Sequence, residues 1–209
     1  MPAGSKGSIL ERDAGLRAIC RIARERDPEP EHVFQVCRNA QAMFGATAKL
    51  HGLGPQELRI LCAAALLHDI GHTVDVLGHH KHSRDLIMKM ELNRFSKREQ
   101  RIVACVARYH RKAHPKPSHA VYEDLAKTDQ KLVRKLAGIL RIADGLDRCH
   151  NATCKSIKAK ISDGTVTLRV KQRRNSPTDI WGGQRKQELF EEVFQVRVHI
   201  EAVTSGTTK

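Results

Sequence analysis

Apolar positions along the first 150 residues recur at helical spacing, interrupted at turn-forming stretches. Leu10, Leu16, Ile19, Cys20 and Ile22 or Ala23 line one face of a helix over 10–26. "DPEPE" then breaks and restarts the chain, since prolines suit a first helical turn and acids suit its positive end. The second helix, roughly 29–51, turns Val33, Phe34, Cys37, Ala40, Phe44 and Leu50 inward and stops at "HGLG". A third starts at Pro55 and runs to His68-Asp69, and the loop "GHTVDVLGHHKHS" leads to a fourth over about 83–92. "SKRE" at 96–99 is a capping box for the fifth, which runs to about Tyr109, and "TDQ" at 128–130 begins a sixth ending near Arg148.

Beyond that point the apolar period shortens. Ile157, Ala159, Ile161 and then Val166, Leu168, Val170 alternate around the turn pair Asp163-Gly164, which predicts a β-hairpin. "QRKQELFEEVFQ" predicts a helix and "VRVHIEAV" a last strand. The expected fold class is mainly α: a helical bundle over 10–150 with a small C-terminal ββαβ appendage over 151–203. Small polar residues at 1–9 and 204–209 read as mobile tails.

Several polar residues violate this pattern at inward positions. "CAAALLHDIGH" puts His68 and Asp69 directly after an apolar run, where an ionised carboxylate is costly unless something binds it. Asp144 lies four residues after Leu140 and eight after Leu136, on the inward stripe of the sixth helix. His32 opens the second helix beside its apolar face, His110 ends the fifth, and His79, His80 and His82 sit between. Any one of these is more often a hydrogen-bonded histidine than a ligand, and Asp144 alone can pair with Arg141 or Arg148. Violations on four separate helices favour one shared site, and imidazole with carboxylate suits a borderline divalent metal.

Charge adds a second constraint. The 209 residues carry a formal +14, a field that attracts polyanions. Aromatics are only 4%, which argues against base-stacking platforms of the single-strand-binding kind and leaves nucleic acid an unfavoured partner. No apolar run approaches the ~20 residues of a membrane span, and the start has no apolar signal core, so the cytoplasm is the expected compartment. The six cysteines include no CxxC pair and are expected as reduced thiols.

"LLHDIGH", preceded by His32 and followed by "RIADGLDR", resembles the H…HD…D pattern of the HD superfamily of metal-dependent phosphohydrolases. "GHHKHS", "RYHRK", "LAGILRIADGLDR" and "ELFEEVFQ", in that order, resemble the C-terminal region of the exopolyphosphatase / guanosine pentaphosphate phosphohydrolase (Ppx/GppA) family, from about residue 14 to 202. The likeness does not include the family's actin-like N-terminal half, which carries exopolyphosphatase catalysis there.

The resemblance implies that His32, His68, Asp69 and Asp144 hold a first metal with Asp69 bridging, and that two further histidines hold a second. His110 in "RYHRK" fits one place; His79, four before the small Ser83, fits the other best, with His80 and His82 as competitors. It further implies a bridging hydroxide that attacks phosphorus, with His68 and Asp69 as the catalytic pair and two divalent ions (Mn, Fe, Co, Ni, Zn or Mg) as cofactors. Lys81, His82, Arg111, Lys112 and Arg148 flank these positions in sequence and are the candidate phosphate-binding cations; Asp147 is a candidate to orient a ligand. The expected partner is a phosphate-rich small anion: a nucleotide, dinucleoside polyphosphate, alarmone or polyphosphate. A homodimer is compatible with this. The rival reading is a non-catalytic module that binds polyphosphate or nucleotide and dimerises; a nucleic-acid-binding protein rests on charge alone.

Overall fold

The computed structural model describes residues 8–203. The expected tails fall mostly outside the described residues; Ser8 and Ile9, assigned to the first of them, open the first helix instead. That helix divides into α1 (Ile9–Arg12) and α2 (Ala14–Arg26) because Asp13 caps the second piece, accepting from the Leu16 amide at 2.8 Å. The next divides at Thr47 into α3 (Pro30–Ala46) and α4 (Ala48–His51), and α5 (Pro55–Leu67) ends on His68. A 3-10 turn, Ile70–Thr73, follows, and then α6 (His79–Lys89).

Helix α6 thus begins at His79 rather than near residue 83. Its buried positions are His79, His80, Ser83 and Ile87, so polar side chains occupy most of the inward stripe and hide the helical period. Helix α7 (Lys97–Arg108) starts on its Ser96 capping box as expected, α8 (Ala120–Glu123) is a short turn in the following loop, and α9 (Lys127–Gly145) is the central helix.

Strands β1 (Cys154–Ser162) and β2 (Thr165–Gln172) form the expected antiparallel hairpin around Asp163-Gly164. Where one helix was expected over 184–195, the chain forms two, α10 (Pro177–Arg185) and α11 (Glu188–Phe194). This crossover brings β3 (Arg197–Val203) parallel to β2, giving the order β1-β2-β3. The architecture is mainly α with a small C-terminal sheet.

The sheet shares the interior of the bundle. β1 packs on α3, while α10 and α11 pack on α9. One buried apolar cluster contains Leu66 and Leu140 together with Leu168, Phe190 and Ile200. All six cysteines are unpaired. No helix among the described residues is long and apolar enough to cross a membrane.

The crossing of α9 and α10 depends on two glycines. A methyl group on Gly145 would run into the Gly182 carbonyl, and one on Gly182 into the Gly145 carbonyl. This crossing sets α10 beside the C-terminal end of α9, where Asp144 lies. Gly145→Ala is expected to cost about 2 kcal/mol through overpacking, lowering Tm by roughly 4–8 °C. A melt unchanged from wild type would show that the crossing relaxes freely.

Candidate metal centre

Each inward polar residue sits at or near the end of an element. His32 is in the first turn of α3, His68 caps α5 with Asp69 next, and His79 begins α6. His110 follows the last residues of α7, and Asp144 lies in the final turn of α9. All six are buried.

Asp69 stands at the centre of the group. Its Oδ1 is 3.2 Å from His79 Nε2 and 3.5 Å from His110 Nε2. Its Oδ2 is 3.5 Å from His68 Nε2 and 3.7 Å from His32 Nε2, and His32 Nε2 is 3.6 Å from Asp144 Oδ1. One carboxylate therefore divides its oxygens between His79 and His110 on one side and His68 and His32 on the other, with His72 also 3.8 Å from Oδ2.

The rings are oriented from behind. His68 Nδ1 donates to the Ala65 carbonyl at 2.8 Å, His110 Nδ1 to Ala107 at 2.7 Å and His79 Nδ1 to Val76 at 3.1 Å. His32 Nδ1 donates to Asp147 Oδ2 at 2.9 Å, so Asp147, fully buried, orients this ring. In a neutral ring, a proton held on Nδ1 leaves the Nε2 lone pair aimed at the centre.

Three of the converging atoms, His32 Nε2, His68 Nε2 and Asp69 Oδ1, are buried without a hydrogen-bond partner. Buried polar atoms rarely stay unpaired, and here the orphans share one location. Three overlapping groups have ligand spacing: His32, His68 and Asp144; His68, Asp69 and His110; Asp69, His72 and His79. Nitrogen and carboxylate oxygen in this mixture fit a divalent cation.

The electrostatics call for positive charge. Burial pushes the Asp69 carboxyl up, but His68, His79 and His110 outweigh it and hold it well below the ordinary range. Burial likewise opposes ionisation of Asp144, and Lys186 and His32 more than compensate. Burial would push the His32 imidazole down, yet Asp144 and Asp147 lift it to about 10. Lys186 is ion-paired with Asp144, and Arg111 donates to His79 Nε2 at 3.2 Å, so two side-chain cations already lean on the cluster.

A close approach places His79. The Gly71 amide donates to Ser83 Oγ at 2.9 Å, and a methyl on Gly71 would run into the His79 carbonyl and the Ser83 amide. The turn after Asp69 and the start of α6 thus dock backbone to backbone. His80, one helical step round (~100°), faces elsewhere: burial, then Arg108, pushes it down to about 4.

The cluster forms the floor of a cleft of about 410 Å³. Of the cations expected from sequence, Arg111, Lys112 and Arg148 line it, whereas Lys81 and His82 do not. Lys81 is exposed, turned ~200° round α6 from His79, and half-buried His82 lies nearly a full turn further along the helix. Arg141, Arg185 and Lys186 line the cleft and were not expected. Arg141 is buried, donates to the Tyr109 and Lys112 carbonyls at 3.1 and 3.2 Å, and has its Nε unpartnered. It clamps the turn that carries His110, Arg111 and Lys112.

His72 and His150 were also missed. His72 is 3.8 Å from Asp69, and its ring lies tilted against that of His79 with centroids 3.7 Å apart; its spacing of three from Asp69 was a legible signal. His150 stacks on His32 at 3.8 Å and pairs with Glu29, and no local pattern marks it. Lys112 and His150 both adopt left-handed backbone, with φ of 54° and 52°, so strain collects at this rim.

The fold is a helical bundle whose element ends deliver imidazoles and carboxylates to a basic cleft, a candidate metal site. The chain belongs to the Ppx/GppA phosphatase family, the model of whose domain III matches residues 16–180. It is also similar to a guanosine-5'-triphosphate,3'-diphosphate pyrophosphatase of Pseudoalteromonas translucida (strain TAC 125), 33% identical over 86 residues. That match covers 41% of this chain and 16% of the relative.

His110 is pushed well below its usual 6.5, chiefly by burial and then by His68. Long-range ¹H–¹⁵N spectra of metal-free protein at pH ~6.5, where an ordinary histidine is half protonated, are expected to show it neutral with the proton on Nδ1. A protonated ring or an Nε2–H tautomer would contradict the orientation described above.

Proposed function

We propose that this chain is an HD-type, metal-dependent phosphohydrolase with a binuclear centre, cleaving a phosphoanhydride or phosphoester bond of a nucleotide or polyphosphate-type substrate. The observation that carries the reading is the division of Asp69 between two histidine pairs, with orphaned buried atoms on the same centre. Family membership supports phosphatase chemistry. The name of the relative points to a guanosine polyphosphate as one candidate substrate.

His32, His68, Asp69 and Asp144 would hold one ion and Asp69, His79 and His110 the other, with His72 within reach of the second. Two divalent cations, when bound, supply an acidified water as nucleophile and positive charge against the phosphoryl oxygens. The protein supplies positioning, which phosphoryl transfer chiefly requires. Asp147 holds the His32 ring in its productive orientation, and Arg141 holds the turn that presents His110. Arg111, Lys112 and Arg148 line the cleft where phosphate oxygens would lie, beside the buried Arg141 guanidinium.

Protein loaded with manganese or zinc is expected to carry near two ions per chain by elemental analysis and to release phosphate from a panel of nucleotides and polyphosphates. Asp69→Ala should cut turnover by more than ~100-fold, and His110→Ala should lower occupancy toward one ion. One ion per chain, unaffected by His110→Ala, would mean a mononuclear site. Neither metal nor turnover, with tight salt-sensitive polyphosphate binding, would establish the non-catalytic module instead.

A further inference from the structure

Trp181 is the single tryptophan of the chain, and it lines the same cleft from α10 while remaining 49% exposed. It lies one residue beyond the segment matched by the family model. An exposed apolar side chain on a convex surface needs no explanation, but this ring faces a concave wall otherwise rich in cations. The Arg185 and Arg148 guanidinium carbons are 5.5 and 6.0 Å from its centroid. That is near the ~6 Å limit of cation–π contact, so the two guanidiniums stand over the ring at the outer edge of contact while the residue remains about half exposed.

The ring is presented by a rigid element. α10 is held to α9 by the Gly145–Gly182 contact. Asp179, fully buried, accepts from the Cys149 amide at 2.9 Å and from the Thr153 hydroxyl, and Gln184 donates to the Ile200 carbonyl at 3.0 Å. A preorganised aromatic ring loses little entropy when a planar ligand stacks on it. Every nucleobase offers such a plane, whichever base it is, whereas an inorganic polyphosphate chain offers none. The cleft volume, about 410 Å³, exceeds what a phosphate group fills and lies in the ~300–1,000 Å³ range of organic-ligand sites.

We infer that Trp181 is a base-stacking platform that makes the cleft favour nucleoside polyphosphates over inorganic polyphosphate. The inference rests on the proposed phosphate-binding role of the cleft. It does not depend on turnover.

The test is equilibrium titration of the full chain in EDTA, which suppresses turnover, with guanosine triphosphate and with inorganic tripolyphosphate. Trp181 emission and heat of binding are followed in parallel. The nucleotide is expected to quench the emission and to bind about 5- to 150-fold more tightly. Trp181→Ala should erase that margin while leaving tripolyphosphate affinity unchanged, and Trp181→Phe should keep most of it. Equal wild-type affinities, a margin that survives Trp181→Ala, equal weakening of both ligands, or no nucleotide binding would each overturn the inference. Should Trp181→Ala melt early, the wild-type and Trp181→Phe comparison decides alone. Phosphate release without a nucleotide margin would defeat only this inference; a margin without metal-dependent release would defeat only the proposed function.

Discussion

Asp69 and Asp144 are ionised carboxylates placed below the surface, among imidazoles that all present Nε2 to them. Burial alone would protonate both, and they stay charged because His68 and His79 face Asp69 while Lys186 and His32 face Asp144. The surrounding elements are arranged so that this charge has only one place to be neutralised. Five helix or turn termini meet there.

Rigidity of the cluster comes from contacts one step removed. Main-chain carbonyls at 65, 76 and 107 hold three of the rings by Nδ1, each carbonyl three residues before its histidine. For His68 and His110 these are carbonyls of a helix's last turn, and for His79 it is a carbonyl of the loop before α6, so local geometry supplies each orientation. The His32 ring is held instead by the carboxylate of Asp147, two residues beyond the end of α9. The Gly71–Ser83 contact then fixes the distance between the two halves of the group.

The C-terminal segment completes the cleft. Its sheet covers α3, its helices cover α9, and through α10 and the following turn it contributes Trp181, Arg185 and Lys186 to the wall. The long-range contacts that build the core therefore also assemble the cationic wall. Lys186 on Asp144 ties the two, coupling the sheet-bearing segment to the charge balance of the floor.

Much of this was legible in the sequence, because burial of a charge contradicts the apolar period and so announces itself. His32, His68, Asp69, His110 and Asp144 were all visible as breaches of a helical stripe or as residues at its end. The start of α6 was not, since His79, His80 and Ser83 occupy its inward face and leave too few apolar residues to reveal a period. Lys81 and His82 were expected at the cleft from proximity in sequence, but helical rotation turns Lys81 off it and His82 sits nearly a turn further along α6. Arg141, His150, Trp181 and Lys186 are ordinary surface-type residues by local pattern. Only the crossing of α10 over α9 and the fold of the C-terminal segment bring them together. Local periodicity determines which side of an element a residue takes. Which elements' ends then meet depends on long-range backbone contacts, and that the tertiary structure alone decides.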